Sequence, residues 1–148
     1  MNQNGGDEAA AGAAAGAATG AAARTTCDVG TLRGTYLTAY DGVDTKGPDK
    51  GRFALAELEW YDGKGNIRGI GSENFNGTIA SSKGKYAGTY TVGANCTGTS
   101  TYQVGGIKYE YDLFIDPGGD MFTFVQTSPK ESVVSGVEKR VTLQRVGN

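Results

Sequence analysis

From Thr35 onward, apolar and polar residues alternate in short runs, and each run ends in a cluster of Gly, Asn, Asp or Pro. A period of two is the pattern of a β-strand with one face buried. The clearest case is Ile107–Ile115, where Ile107, Tyr109, Tyr111, Leu113 and Ile115 share one face and Lys108, Glu110, Asp112 and Phe114 the other. The same reading predicts strands over Thr35–Tyr40, Arg52–Tyr61, Ile67–Phe75, Thr78–Ser81, Lys85–Val92, Thr97–Val104, Met121–Thr127 and about Val137–Arg145. Asn76-Gly77 and Gly105-Gly106 are hairpin turns, because they tolerate the positive φ that tight turns need. Glycines inside the third run, Gly69 and Gly71, suggest bulges or sharp coiling.

No amphipathic helical period exceeds two turns. Nine strand-like runs, one of them short, predict an all-β chain: a single eight-stranded antiparallel barrel in mostly up-and-down order. Closure removes the exposed edges that so many Thr- and Tyr-rich strands would otherwise present. A β-sandwich is the alternative.

Composition divides the chain in two. Residues 1–26 form an Ala/Gly-rich tail or tether, without an apolar face to bury. Residues 27–148 form the barrel domain, and 148 residues suit one ordinary domain. A second reading of the tail is self-association, with residues 1–26 ordering against a neighbouring subunit. The chain carries 14 Lys+Arg and 16 Asp+Glu. Two of those acids, Asp7 and Glu8, lie in residues 1–23, so the body from Arg24 onward is neutral. A neutral body without a basic run argues against a nucleic-acid partner. No stretch is long and apolar enough for a transmembrane segment. No basic leader with a leucine-rich core follows Met1.

Histidine is absent. That removes the commonest general base, the commonest zinc ligand and every Ser-His or Cys-His nucleophile. Asp62-Gly63-Lys64-Gly65-Asn66 faintly resembles a calcium loop, but Lys64 falls where an oxygen ligand is required. No metal and no cofactor are expected. Cys27 and Cys96 are the only cysteines. They read as a disulfide, which implies an oxidising compartment, with two free buried thiols as the alternative.

Four segments carry a resemblance: CDVGTLRGTY (27–36), EWYDGKGNIRG (59–69), GTYTVGANCTGT (88–99) and SVVSGVEKR (132–140). In this order they resemble a set of small, mostly exported bacterial proteins of unknown function, similar to the allene oxide cyclase barrel-like group among calycin- and dirigent-style barrels. The resemblance spans nearly all of residues 27–140. It implies a barrel with an interior cavity, pairing of Cys27 with Cys96, and export to the periplasm, the cell surface or the medium. The Ala/Gly tail lies outside it, and the lack of a visible leader departs from the exported members. It transfers no catalytic site.

Candidate chemistry comes from carboxylates and tyrosines. Glu57 and Glu59 share a strand face with Phe53, Leu55 and Tyr61. Glu73 lies across from them if the Asp62–Asn66 turn pairs the two strands. Facing a cavity, such carboxylates repel, and one holds a proton near neutral pH. The competing reading puts that face in water with Leu58 and Trp60 inside, and it is favoured by the usual outward placement of strand charges. Among Tyr36, Tyr40, Tyr86, Tyr90, Tyr102, Tyr109 and Tyr111, the candidate ligand contacts are Tyr36, Tyr90, Tyr109 and Tyr111; the alternative is that they are barrel core.

The functional expectation is an exported or surface-tethered barrel that binds a small apolar ligand without catalysis. One alternative is a cofactor-free cyclase or isomerase using Glu and Tyr in the cavity. Another is an assembly subunit ordered through its N-terminal segment. A carrier predicts Glu57, Glu59 and Glu73 outside. A cyclase predicts at least one of them inside with a raised pKa. An assembly subunit predicts a cavity too full for a ligand.

Overall fold

The computed structural model describes residues 26–48 and 50–146. The tail, and with it the expectation of a tether or of self-association, falls outside these residues except for Thr26. A short 3-10 turn, Val29–Thr31, precedes eight strands: β1 Arg33–Asp44, β2 Gly51–Asp62, β3 Asn66–Phe75, β4 Thr78–Val92, β5 Thr97–Val104, β6 Ile107–Ile115, β7 Met121–Ser128 and β8 Ser132–Thr142. Each pairs antiparallel with the next, and β8 returns to β1, which closes the barrel in up-and-down order. The sandwich alternative is thereby excluded.

Turn chemistry sets the register. Asn76-Gly77 and Gly105-Gly106 both have positive φ at the two loop positions, which joins β3 to β4 and β5 to β6 with minimal loops. Two of the sequence-based boundaries need correction. The runs Thr78–Ser81 and Lys85–Val92 are one strand, β4. Its Ser82-Lys83-Gly84 segment reads as a turn but is an irregularity in the β3–β4 ladder, where Lys83 has φ 53° and donates its N–H to Ser72 Oγ at 2.9 Å. The last strand begins at Ser132 rather than Val137, because Ser132, Val133 and Val134 already pair with Asp44, Val43 and Gly42.

The interior has a closed end and an open end. At the closed end Tyr36, Tyr61, Tyr90 and Phe122 meet at ring separations of 5.1 to 5.6 Å, with Leu32 fully buried beside them. The 3-10 turn plugs this end: the one hydrogen of the Tyr90 hydroxyl is shared between Leu32 O at 2.6 Å and the more distant Val29 O at 3.0 Å. Cys27 and Cys96 form a disulfide across 69 residues of sequence. With Cys27 N–H donating to Ala94 O at 3.2 Å, it ties the plug to the β4–β5 turn. Among the described residues no helix is long and apolar enough to cross a membrane.

Candidate functional site

The open end holds a cavity of about 710 Å³. An eight-stranded barrel is normally just wide enough for side chains to fill. Here, inward positions on two adjacent strands that line the cavity are glycines: Gly71 on β3 and Gly84 on β4. Gly71 and Gly84 are cross-strand partners. The missing side chains leave the space.

The mouth is lined by Phe53, Leu55, Phe75, Val104 and Ile107, together with residues of the β1–β2 and β7–β8 loops. The floor is polar. Glu57, Glu59 and Glu138 all line the cavity. Glu59 is only 3 % exposed and Glu138 only 5 %. Glu59 is the carboxyl with most donors: Tyr61 Oη at 2.8 Å and Tyr102 Oη at 3.0 Å reach its Oε2, and Tyr86 Oη reaches its Oε1 at 2.8 Å. Tyr86 Oη also bonds Glu57 Oε2. One phenolic hydrogen cannot serve two carboxylates, so one of these two bonds is donated by a protonated carboxyl to the tyrosine oxygen. Glu138 Oε2 is buried without any hydrogen-bond partner.

The electrostatics follow from burial and like charge. Burial, then the neighbouring charge of Glu59, push the Glu57 carboxyl up to about 7, against the opposing hydrogen bonds of Tyr86 and Tyr40. Burial raises Glu59 as well, opposed by the hydroxyls of Tyr61, Tyr86 and Tyr102 and by Glu138. Burial, then the charges of Glu59 and Glu57, carry Glu138 far above the usual carboxylate range. The three carboxyls therefore share protons at neutral pH, with negative charge best held on Glu59 and the proton on Glu138. Burial, then the same carboxylates, hold the Tyr86 hydroxyl firmly protonated.

An aromatic belt encircles this floor. Tyr86, Tyr102, Tyr111, Phe124 and Tyr40 follow one another edge to face, with ring centroids 5.1 to 5.8 Å apart. Such tilted contacts fix ring orientation, and with it where each hydroxyl points.

The structure divides the sequence-based candidates. Glu57 and Glu59 face inward, which corrects the favoured outward placement of that face. Trp60 lies on the other side, beneath the Arg145 guanidinium at 5.3 Å. Charge is tolerated inside because tyrosine hydroxyls on β2, β4 and β5 replace water. Glu73 sits at the mouth, raised by burial and by the charge of Asp44. Tyr109 and Tyr111 line the cavity. Tyr36 and Tyr90 do not: both are closed-end core, with Tyr36 Oη donating to Gly119 O at 2.5 Å. Glu138 was not among the candidates. Its signal is the alternation Val134, Gly136, Glu138 on β8, which appears only when the strand is begun at Ser132. The Asp62 carboxylate accepts from Lys64 N, Asn66 N and Asn66 Nδ2 at 2.6 to 2.9 Å, which makes Asp62–Asn66 a self-capped turn. Among the described residues no group of His, Cys, Asp and Glu is arranged to hold a metal ion.

Compared with known proteins, the chain matches no family model, and no curated protein or solved structure is significantly similar to it.

Proposed function

We propose that this barrel is a cofactor-free acid–base catalyst of the cyclase or isomerase type, acting on a small, largely apolar molecule held in its open end. The observation that carries this reading is the position of Glu57: a carboxyl on the cavity wall whose pKa, about 7, suits proton transfer at neutral pH. Carboxylates inside the barrel were the feature expected of a cyclase and not of an apolar carrier. In such a reaction Glu57 takes a proton from one substrate carbon and returns it to another, so no external oxidant, reductant or metal is required. Glu59, held by three hydroxyls, lies beside Glu57 and shares protons with it. Tyr86 links the two and passes hydrogen-bonding changes between them.

The cavity itself favours a second reading, a binding barrel without chemistry. Its apolar mouth and aromatic belt would hold a ligand equally well in that case. An assembly subunit is less well supported, because a cavity of this size is not the filled interior that role implies. A disulfide belongs to an oxidising compartment, which supports export. The resemblance to the allene oxide cyclase barrel-like group implies a barrel with an interior cavity, which either reading needs.

A general-base probe separates catalysis from binding. 5-Nitrobenzisoxazole opens when a base removes its ring C–H proton and the N–O bond breaks, giving a coloured cyanophenolate. The expected result is turnover above buffer that rises with pH through about 7 and is lost in E57Q. Turnover equal to buffer, or unchanged in folded E57Q, would overturn the catalytic reading.

A further inference from the structure

The floor of the cavity has a charge imbalance that the protein does not resolve. Three carboxyls, Glu57, Glu59 and Glu138, converge from β2 and β8. Among the described residues, the cationic side chains on the cavity wall are Lys46 and Lys85, and both are exposed. Arg140 is two residues beyond Glu138 on β8, but its guanidinium is engaged by Asp120 and by Gly118 O at 3.0 Å. The groups that bear on the trio from the surrounding strands are Tyr40 of β1, Tyr61 of β2, Glu73 of β3, Tyr86 of β4, Tyr102 of β5 and Tyr111 of β6. These are phenols and one further acid. Buried like charges without a counter-ion are stable only while they hold protons.

Glu138 adds an independent observation. Its residue is 5 % exposed, it lines the cavity, and its Oε2 has no partner. Buried carboxyl oxygens are normally bonded, so an orphan at a cavity wall marks a place for a donor that arrives with a ligand. A bare metal ion fits poorly, since the tyrosine hydroxyls point their hydrogens at the carboxylates and a single ion would leave most of the space empty. The belt of Tyr40, Tyr102 and Tyr111 around the floor presents aromatic rings, which attract a positively charged nitrogen.

We propose that the cavity takes an organic cation: a protonated amine seated among Glu57, Glu59 and Glu138, on an apolar body that fills the mouth between Phe53, Leu55, Phe75 and Ile107. The inference rests on the reading that the cavity holds a small molecule, and not on that molecule being transformed. On binding, the ammonium N–H groups donate to Glu138 Oε2 and to the Glu57 carboxylate. A proton leaves the trio for solvent, so cation binding and protonation compete.

The test uses three probes that share one apolar body: 1-naphthylmethylammonium, 1-naphthylmethanol and 1-naphthylacetate, titrated by calorimetry against the full chain. The cation is expected to bind at least about 10-fold more tightly than the alcohol near pH 8. Its affinity is expected to fall as pH drops from about 8 to about 6, with proton release visible as a dependence of the heat on the buffer. The alcohol is expected to show no such slope. In E57Q, with folding checked by near-ultraviolet circular dichroism, the cation should lose about 10-fold and the alcohol less than about twofold. Equal affinity for cation and alcohol, or a pH-independent cation affinity in the wild-type protein, would overturn the cationic assignment while leaving the small-molecule reading intact. Failure of all three probes to bind would overturn both.

Discussion

Gly69 of β3 and Tyr86 of β4 are cross-strand partners, and the Tyr86 ring lies over the glycine where a side chain would stand. That placement brings the Tyr86 hydroxyl between Glu57 and Glu59. The arrangement recurs. A Cβ at Gly88 would meet Tyr102 Cδ1 at 2.7 Å, and one at Gly136 would meet Phe124 Cζ at 2.5 Å. Glycines in the strands thus seat the aromatic belt as well as emptying the cavity.

Gly69→Ala is therefore expected to displace the Tyr86 ring, since the added methyl meets a rigid ring rather than a flexible chain end. A loss of about 1–3 kcal/mol in stability follows from such overpacking. Tyr86→Phe keeps the ring and removes only the hydroxyl. Because that hydroxyl opposes the rise in the Glu57 pKa, its removal should move the Glu57 midpoint upward, by roughly one unit. Chemical denaturation measures the first effect and a side-chain titration the second.

The carboxyl trio gives stability an unusual pH dependence. Glu57 has a folded pKa of about 7 against an ordinary value of 4.5, and Glu59 and Glu138 are shifted in the same direction. Between these values the folded state binds more protons than the unfolded chain, so the slope of unfolding free energy against pH is negative. The stabilisation is complete below about 4.5 and is lost as pH rises through about 7. Thermal melts should give a midpoint on the order of 5 °C lower near pH 8 than near pH 5.5. E57Q should flatten part of that slope. A midpoint that rises over this interval would contradict the burial of the trio.

The disulfide acts at the end of the barrel away from the cavity. Replacing both Cys27 and Cys96 by Ala releases a constraint across 69 residues and should cost about 4 kcal/mol in the chain-entropy description. Because Cys27 and Cys96 lie with the closed-end plug, binding of the naphthyl probes to the variant that remains folded should change less than about twofold. Paired denaturation and binding titrations check both.

Much of the barrel is legible in the sequence, because alternation and turn residues act locally. Tyr109, Tyr111, Leu113 and Ile115 share the face their spacing assigns, and Asn76-Gly77 turns where its φ preference requires. Two features were not legible, for physical reasons. Ser82-Lys83-Gly84 has the composition of a turn, and a bulge in a long strand uses the same residues for the same positive φ. The inward face of β2 cannot be read from β2 alone. Both of its faces carry apolar residues, and what makes Glu57 and Glu59 tolerable inside is hydroxyls on β4 and β5, distant in sequence. Tyr36 and Tyr90 show the converse: nothing local tells a core tyrosine from one lining a cavity a few residues along the same strand.

The most direct measurement is a nuclear magnetic resonance titration of the full chain with glutamate labelled with carbon-13 at Cδ. The expected result is one carboxyl with a midpoint of about 7 that disappears in E57Q, and at least one more, Glu138, raised well above the ordinary value of 4.5. Every glutamate titrating near the ordinary value of 4.5 would show that the trio is solvated, and would contradict the buried acid–base site on which the proposed function rests.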